Sequence, residues 1–157
     1  MLNFFKKKNE AKIYAPVDGK CIDIIDVKDE VFSSKMLGDG FAVIPDNCII
    51  CSPSDGVITM IFPTKHAFGV RMKDGKDILV HIGIDTVNLG GKGFETLKTV
   101  NQKVKAGDPI IKIDKDYIES QHYDLTTVVV MTDQKEMIEK RSIGENVCCH
   151  DLIINYS

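Results

Sequence analysis

Two histidines, His66 and His81, have the residue type and spacing that could support chemistry. His81 lies in the segment DILVHIGID, residues 77–85, where bulky apolar residues alternate as they do in a half-buried strand. Burying an imidazole costs free energy unless it is hydrogen-bonded, so a paired core histidine is the commonest explanation. The functional alternative is a histidine that faces a depression in the surface. Gly83 follows on the same strand face, where its missing side chain lets a phosphate or another backbone approach.

The second histidine precedes a neighbouring strand. The turn sequence KDG predicts a hairpin between the strand that follows His66 and the strand that contains His81. Pairing Met72 with Asp77 places residue 68 opposite His81 and His66 two residues further along. The two histidines would then be diagonal neighbours about 7–8 Å apart at the backbone, which is within reach of their side chains.

Two neighbouring imidazoles suit three kinds of chemistry. They could bind zinc, which needs at least one further ligand. They could act as a general acid and a general base. Alternatively, one ring could accept a phosphoryl group as a nucleophile while the other donates a hydrogen bond to a phosphate oxygen. Thr64 stands two residues before His66, and its hydroxyl could select the tautomer of that ring.

The composition indicates an ordinary globular protein. The chain has 157 residues and a net charge of −3, which predicts one domain and no basic surface for nucleic acid. Five cysteines without paired spacings favour reduced thiols in a cytosolic protein. No apolar segment approaches the roughly 20 residues of a membrane span. We expect residues 1–11 to form a flexible N-terminal segment and residues 12–157 to form a single domain.

Short β-forming segments alternate with turn residues along most of the chain. Asp-Gly turns recur between them, which predicts an all-β fold, a compact antiparallel β-sandwich or barrel-like domain. Helical signal is confined to one or two very short helices, in DKDYIESQ and TDQKEMIEK, and FETLKTV is ambiguous. The motif Pro-x-Asp-Gly begins at Pro16 and again at Pro53, each time before a strand pattern, which predicts two similarly built hairpins.

The cysteine motifs CIIC and CCH are a second candidate for zinc. Cys48 and Cys51 are three residues apart in a strand pattern, so their side chains would point to opposite faces and joint ligation is awkward. We therefore interpret these cysteines as structural thiols. The same interpretation covers Cys148 and Cys149, while His122 and His150 are assigned to the surface or to strand ends.

Six motifs, in order along the chain, closely resemble those of one protein family. They are APVDG, DEVFSSKMLGDGFAVIP, SPSDG, FPTKHAFGV, ILVHIGIDTVNLGGKGF and VKAGDPII. Together they cover roughly residues 13 to 130, and they resemble the glucose-type enzyme IIA component of the bacterial phosphoenolpyruvate-dependent sugar phosphotransferase system. The resemblance implies the same antiparallel β-sandwich as the turn pattern.

The resemblance also implies a role for individual residues. His81 corresponds to the phosphorylated histidine, His66 to the histidine that stabilises the phosphoryl group, and Thr64 to the residue that positions the second ring. A rim of residues around them would bind partner proteins. These rim residues are Asp29, Val31, Phe32, Phe62, Phe68, Asp85 and Val87. Lys28 and Glu30 depart from the family pattern by adding charge at this rim.

The implied activity is that of a cytoplasmic phosphocarrier. It would accept a phosphoryl group from the phosphocarrier protein HPr and pass it to the IIB domain of a sugar permease, so the membrane is reached only through the permease. No cofactor is required, although His66 and His81 could take zinc. The alternatives are a zinc metallopeptidase-like hydrolase on a related β fold and a purely regulatory protein that binds target proteins.

Overall fold

Thirteen β-strands and two short α-helices form the regular structure of the described residues, which are 11–132, 134 and 138–156 of a computed structural model. The strands are β1 (Ala11–Tyr14), β2 (Gly19–Asp23), β3 (Gly38–Pro45), β4 (Ile49–Cys51), β5 (Gly56–Ile61), β6 (Ala67–Arg71), β7 (Asp77–Ile82), β8 (Phe94–Thr96), β9 (Lys103–Val104), β10 (Pro109–Ile113), β11 (Thr127–Thr132), β12 (Asn146–Val147) and β13 (Leu152–Tyr156). The helices are α1 (Glu30–Ser33) and α2 (Lys115–Ser120), and 3₁₀ turns span Ile24–Asp26 and Thr86–Leu89. No helix in this part of the chain is long and apolar enough to span a membrane.

The strands form one large and two small antiparallel sheets around a shared core. The large sheet has the order β12-β2-β3-β11-β7-β6-β5-β9, and the small sheets are β4-β10-β8 and β1-β13. Phe41 and Val80 of the large sheet belong to the same buried cluster as Ile111 and Ile153 of the small sheets. This arrangement confirms the predicted all-β antiparallel sandwich.

Strand β7 has one face in the main core and one face towards a second, smaller cluster. Val80 and Ile82 are fully buried in the main core, as the alternating pattern predicts. Leu79 points the other way and packs with Phe32 of α1 in the smaller cluster. His81 lies on this outer face too, and its ring contacts Phe32. The helix α1 therefore covers part of the outer face and leaves His81 at the edge of the covered area.

The β6–β7 hairpin differs by one residue from the predicted register. Ala67 lies opposite His81, one position away from the predicted partner. The turn is the cause, because the Met72 N–H donates to the carbonyl of Lys76 at 2.9 Å and Gly75 has a φ of 88°. A three-residue loop that ends in a left-handed residue is a preferred hairpin connection. Met72 therefore pairs with Lys76 and not with the residue after it, and the predicted register was wrong.

Two of the short helix signals can be compared with the structure. DKDYIESQ contains α2, whose first turn is capped by Asp114 accepting from the Tyr117 N–H at 3.1 Å, so that prediction is confirmed. FETLKTV, which was ambiguous, contains strand β8. The one-turn helix α1 was not predicted. It begins where the carboxylate of Asp29 accepts from the Val31 N–H at 3.0 Å.

Two predictions fall partly outside the described residues. Four of the nine residues of the segment TDQKEMIEK, predicted to be helical, lie there. None of the five described ones is in a helix: Thr132 ends β11, and Lys140 makes an isolated antiparallel bridge with Ile154. Ten of the eleven residues of the predicted flexible N-terminal segment also lie there. The eleventh, Ala11, is buried and begins β1.

The two Pro-x-Asp-Gly motifs lie side by side and bond to each other reciprocally. The Tyr14 N–H donates to the carbonyl of Pro53 at 2.8 Å, and the Cys51 N–H donates to the carbonyl of Pro16 at 2.7 Å. Strands β2 and β5 begin at the glycines of the two motifs, and each pairs with the next strand along the chain. The predicted similarity of the two units is confirmed.

In both motifs the aspartate also bonds to a turn that lies later in the chain. The carboxylate of Asp18 accepts from the Cys149 N–H at 2.6 Å, and that of Asp55 accepts from the Ala106 N–H at 2.9 Å. The aspartate of each motif thus ties a distant turn to the start of a strand, which explains why both copies need this residue.

Lys140 joins a buried charge cluster that holds the later part of the chain to the large sheet. Its Nζ lies 2.7 Å from a carboxylate oxygen of Asp23 and 2.7 Å from one of Asp39. The side chain of Asp39 is only 1% exposed, and that of Lys140 is 7% exposed. A carboxylate this deeply buried depends on its cationic partner, because water cannot replace it.

Replacing Lys140 by methionine is expected to lower the free energy of unfolding by about 3 kcal/mol, because the buried carboxylate of Asp39 loses its close cationic partner and keeps only the longer ion pair with Lys35, at 3.6 Å. The matched control is Lys115→Met, which removes an exposed ion pair with Glu119 and should cost no more than about 0.5 kcal/mol. Urea denaturation at pH 7 measures both values. Equal losses in the two variants would contradict the importance of this buried cluster.

Candidate functional site

The rings of His66 and His81 face each other on the outer face of the large sheet, where β6 begins and the neighbouring β7 ends. Their centroids are 4.9 Å apart, and the ring planes meet at 83°. His81 lies in β7, and His66 immediately precedes β6, where its carbonyl accepts from the Ile82 N–H at 2.7 Å. The structure thus brings together the two histidines that the sequence singles out.

A tight loop before β6 turns His66 towards His81. The Phe62 N–H donates to the carbonyl of Ala67 at 2.9 Å, and the Lys65 N–H donates to the carbonyl of Phe62 at 2.8 Å. Lys65 adopts a φ of 60°, in the left-handed region. Regular strand alternation would put His66 on the face opposite to that of its neighbour Ala67. Because the strand begins only at Ala67, the loop is free to direct the His66 ring towards His81.

The tautomer of His81 follows from its hydrogen bond. Its Nδ1 lies 2.8 Å from the carbonyl oxygen of Gly83. A carbonyl can only accept, so Nδ1 carries the proton and Nε2 of the neutral ring is left with a lone pair. That nitrogen is therefore the one available as a nucleophile.

Gly83 has a structural role that the sequence indicated only in part. Its φ is 85°, and a Cβ at this position would come within 2.4 Å of the Thr86 side chain and 2.9 Å of the Asp124 carbonyl oxygen. The predicted close approach of another backbone is confirmed by the Asp124 carbonyl. The hydrogen bond between His81 and the Gly83 carbonyl was not predicted. A glycine two residues after a histidine in a strand is the pattern that could have indicated it.

Thr64 is placed as expected beside the second ring. Its Oγ1 lies 2.7 Å from Nδ1 of His66. A hydroxyl can donate to an unprotonated Nδ1, and the ring then carries its proton on Nε2. With the rings in these complementary states, His81 offers a lone pair and His66 offers an N–H donor.

Both histidines are held in the neutral form at pH 7. The pKa of His66 is lowered to about 4, mainly by burial and to a smaller extent by the nearby His81. Burial also lowers the pKa of His81, against the opposing effects of the Gly83 carbonyl and the carboxylates of Asp29 and Asp85. Neutral imidazole is the nucleophilic form, so the environment of the site favours nucleophilic chemistry.

Titration of the ring protons by NMR is expected to show midpoints below 6.5 for both histidines, with that of His66 near pH 4. The sign follows from burial, because a buried ring resists protonation and stays neutral to lower pH. Spectra of His66→Ala and His81→Ala assign the two resonances. A midpoint of 6.5 or higher for His66 would contradict the buried environment described here.

Two of the predicted rim residues contact the two rings, and two others are exposed apolar residues. The Phe32 ring centroid lies 4.9 Å from that of His81, and the Phe62 ring meets His66 edge-on at 5.3 Å. Val31 and Val87 are large apolar residues with about half of their surface exposed, at 44% and 48%. An apolar rim beside the buried His66 and the half-buried His81 is suited to contact with another protein.

The two predicted rim carboxylates differ in their structural roles. Asp29 caps α1 through the Val31 N–H, so it helps to position the rim. Asp85 is exposed and has a left-handed φ of 60°, and its side chain makes no capping bond to the turn that follows. Asp85 is therefore the better position at which to test the effect of rim charge.

Phe68 is not part of the exposed rim, contrary to the prediction. It is fully buried in the main core and lies opposite Val80 of β7. The physical reason is strand alternation, because Phe68 follows Ala67, whose partner His81 faces outwards. The prediction identified the correct strand and assigned this residue to the wrong face.

The cysteine motifs do not form a metal site in the described part of the chain. No group of three or more His, Cys, Asp or Glu side chains there is arranged to bind a metal ion. Cys51 ends β4, and Cys48 lies just before that strand. His150 is exposed and stacks against Tyr14 with ring centroids 4.7 Å apart.

The fold and the site define an antiparallel β-sandwich protein with two facing, neutral imidazoles in an apolar rim. A family model described as phosphoenolpyruvate-dependent sugar phosphotransferase system, EIIA 1, matches residues 11–137. The chain belongs to this family.

Known relatives carry related names. The chain is 43% identical over 129 residues to a glucose-specific EIIA component of Staphylococcus epidermidis strain RP62A, a match that covers 81% of this chain and 78% of the relative. It is 48% identical over 121 residues to a glucose-specific EIICBA component of Staphylococcus carnosus. That match covers 76% of this chain but only 18% of the longer relative.

A solved structure agrees over nearly the whole chain. The glucose permease IIA from Mycoplasma capricolum superposes with a TM-score of 0.85 at 38% identity, covering 99% of each chain. The fold is thus similar in a protein that differs at most positions.

Proposed function

We propose that this chain is a cytoplasmic phosphocarrier of a sugar phosphotransferase system. It accepts a phosphoryl group on His81 from phosphorylated HPr and passes it to the IIB domain of a glucose-type permease. The observation that carries the proposal is the pair of facing rings, 4.9 Å apart, with Nδ1 of His81 engaged by Gly83. Membership of the EIIA family supports the assignment of partners.

In the first step, Nε2 of His81 attacks the phosphorus of the donor phosphohistidine. A new P–N bond forms to His81 as the P–N bond in the donor breaks, and the donor imidazole leaves. The hydrogen bond from Nδ1 to the Gly83 carbonyl becomes stronger as positive charge develops on the ring. His81 is half-buried, so an incoming donor can reach it.

His66 acts on the phosphoryl oxygens. Its Nε2–H donates to one of them, provided that the Thr64 hydroxyl donates to Nδ1 and sets that tautomer. The ring is only 3% exposed, so its N–H loses little to competing water. A fixed donor in a site with little water stabilises the charge that develops during transfer.

The rim supplies the contact with both partners. Val31, next to Phe32 in α1, and Val87, in the 3₁₀ turn after Asp85, are exposed, and Phe32 and Phe62 pack against the two rings. In the second step a cysteine thiolate of the IIB domain attacks the phosphorus, the bond to His81 breaks, and neutral His81 is restored. The same surface can serve donor and acceptor in turn because only one is needed at each step.

Reconstitution with purified partners tests the proposal. The protein is mixed with phosphoenolpyruvate, enzyme I and HPr, and then with a IIB domain. We expect one acid-labile phosphoryl group per chain, located on His81 by mass spectrometry, and its loss when the IIB domain is added. Label on another residue, or no label, would overturn the assignment.

Replacing Asp85 by asparagine is expected to slow onward transfer to IIB by a few-fold, as exposed charges interact by about 1 kcal/mol or less. The carboxylate repels the phosphoryl group, and its removal stabilises the phosphorylated form. Asparagine tolerates the left-handed backbone at this position, so the fold is retained. Rapid-quench kinetics measures the rate, and an unchanged rate would defeat the idea of repulsion by the rim.

The proposed reaction needs no cofactor. Zinc binding at His66 and His81 would require a further ligand from a partner protein, because the described residues supply no third one. This shortage gives a zinc peptidase no support. A regulatory role, in which target proteins sense the phosphorylation state of His81, is compatible with transport, and a pull-down with each form would identify such targets.

A further inference from the structure

The carbonyl that orients His81 lies just beyond the end of strand β7. Regular pairing of β7 with β11 ends where Ile82 lies opposite Thr127. The next peptide along, between Gly83 and Ile84, supplies the carbonyl oxygen that lies 2.8 Å from Nδ1 of His81. Because the strand pairing has ended, other contacts must hold this peptide in place.

Two carbonyls from the segment before β11 hold the peptide. The Gly83 N–H donates to the carbonyl of Thr126 at 3.0 Å, and the Ile84 N–H donates to the carbonyl of Asp124 at 2.8 Å. The described residues contain no cis peptide bond, and in a trans peptide the C=O and the N–H point in opposite directions. Once the Ile84 N–H is fixed on Asp124, the carbonyl of the same peptide must point the other way, towards His81.

The side chain of Asp124 sets the positions of both acceptor carbonyls. Its Oδ1 accepts from the Thr126 N–H at 2.8 Å and from the Thr126 hydroxyl at 2.6 Å. A carboxylate that bonds to the backbone two residues further on forms an Asx turn, which fixes the chain between the two residues. Thr126 is buried, with 6% of its surface exposed, so water competes little for these bonds. The turn therefore presents both carbonyls, those of residues 124 and 126, to the peptide after Gly83.

We propose that Asp124 is a positioning residue for phosphoryl uptake, and that it acts on His81 through the peptide that follows Gly83. This inference rests on the proposed function of His81. The Asx turn aims the Gly83 carbonyl at Nδ1, the carbonyl keeps the ring proton there, and Nε2 keeps its lone pair. The bonds also run in series from the Asp124 carbonyl through the peptide to the ring, and hydrogen bonds in series polarise and strengthen one another.

A direct effect of the Asp124 charge is the alternative, and variants separate it from positioning. Both side-chain bonds use Oδ1, so Asp124→Asn can make the same two bonds without the charge, whereas Asp124→Ala removes them. Thr126→Val removes the hydroxyl bond and keeps the branched shape and the backbone N–H. The matched control is Asp114→Ala, because Asp114 makes the same kind of bond at the start of α2, to the Tyr117 N–H at 3.1 Å.

The first measurement is the tautomer of His81 in the unphosphorylated protein at pH 7, obtained from the ring nitrogen shifts in long-range proton–nitrogen NMR spectra. We expect the wild type to carry the ring proton on Nδ1. In Asp124→Ala, and to a smaller extent in Thr126→Val, a second population with the proton on Nε2 should appear. Asp124→Asn and Asp114→Ala should give the wild-type spectrum.

The second measurement is the rate of phosphoryl uptake from phosphorylated HPr. We expect Asp124→Ala to lower the maximal rate constant by about 2- to 10-fold, the usual effect of losing one hydrogen bond. The HPr concentration that gives half of the maximal rate should stay the same, because the change acts on the ring and not on docking. Asp124→Asn should restore the wild-type rate.

Three outcomes would overturn the proposal. They are a wild-type ring protonated on Nε2, an unchanged tautomer in the folded Asp124→Ala and Thr126→Val variants, and equal slowing of uptake in Asp124→Ala and Asp124→Asn, which would indicate a direct role of the charge. Circular dichroism checks the fold, and Thr126→Val decides the question if Asp124→Ala does not fold. The tautomer measurement needs no partner protein, so it tests the positioning of His81 even if the wild type shows no uptake, a result that would contradict the proposed function itself.

Discussion

The variant His81→Ala is expected to lose phosphoryl uptake from HPr by more than about 1,000-fold, because it lacks the nucleophile. The neighbouring ring of His66 cannot take its place. His66 is 3% exposed, and its Nδ1 is already engaged by Thr64. Uptake is measured as acid-labile phosphate per chain after incubation with phosphoenolpyruvate, enzyme I and HPr.

A second histidine variant serves as its control. His122 is exposed and has a φ of 69°, so His122→Asn removes an imidazole without straining the backbone. It should take up one phosphoryl group at the wild-type rate. Wild-type uptake by His81→Ala would contradict the assignment of the nucleophile, and the same loss in both variants would show that the assay does not report on this site.

The variant His66→Ala should still reach one phosphoryl group per chain but should transfer it to IIB about 100- to 1,000-fold more slowly. The nucleophile is intact, whereas a fixed donor to the phosphoryl oxygens is lost, and one such donor is typically worth this factor. The rate of loss of label after addition of a IIB domain measures the effect.

Partial recovery in His66→Gln would identify the N–H as the active group. A glutamine side chain retains an amide donor near the position of Nε2 but has no ring. If onward transfer is as slow in His66→Gln as in His66→Ala, the role of His66 is packing against Phe62 and not hydrogen bonding. If both variants transfer at the wild-type rate, the proposed function of the second histidine is wrong.

The strand pattern around His81 could be predicted because its causes are local. Alternation of apolar residues from 77 to 82 reflects the two faces of one strand, and the structure shows the same alternation in burial. The recurring Asp-Gly turns likewise identified an antiparallel fold. The register of the β6–β7 hairpin was less predictable, because it depends on the left-handed φ of Gly75.

The rim was predicted less well than the two histidines. Phe68 was assigned to the exposed rim because of its position in a motif, yet the shift in register and the loop before β6 put its side chain in the core. The helix α1, which brings Phe32 onto His81, is a single turn and is too short to produce a helical pattern in the sequence.

The sequence by itself determined the strands, most of the turns and the identity of the two histidines, because period-two alternation and turn residues act over a few neighbouring positions. Only the tertiary structure decided that Gly83 fixes the tautomer of His81 and that Lys140 neutralises Asp39. These contacts depend on the packing of whole sheets, and no local pattern encodes the distance between residues that lie far apart in the chain.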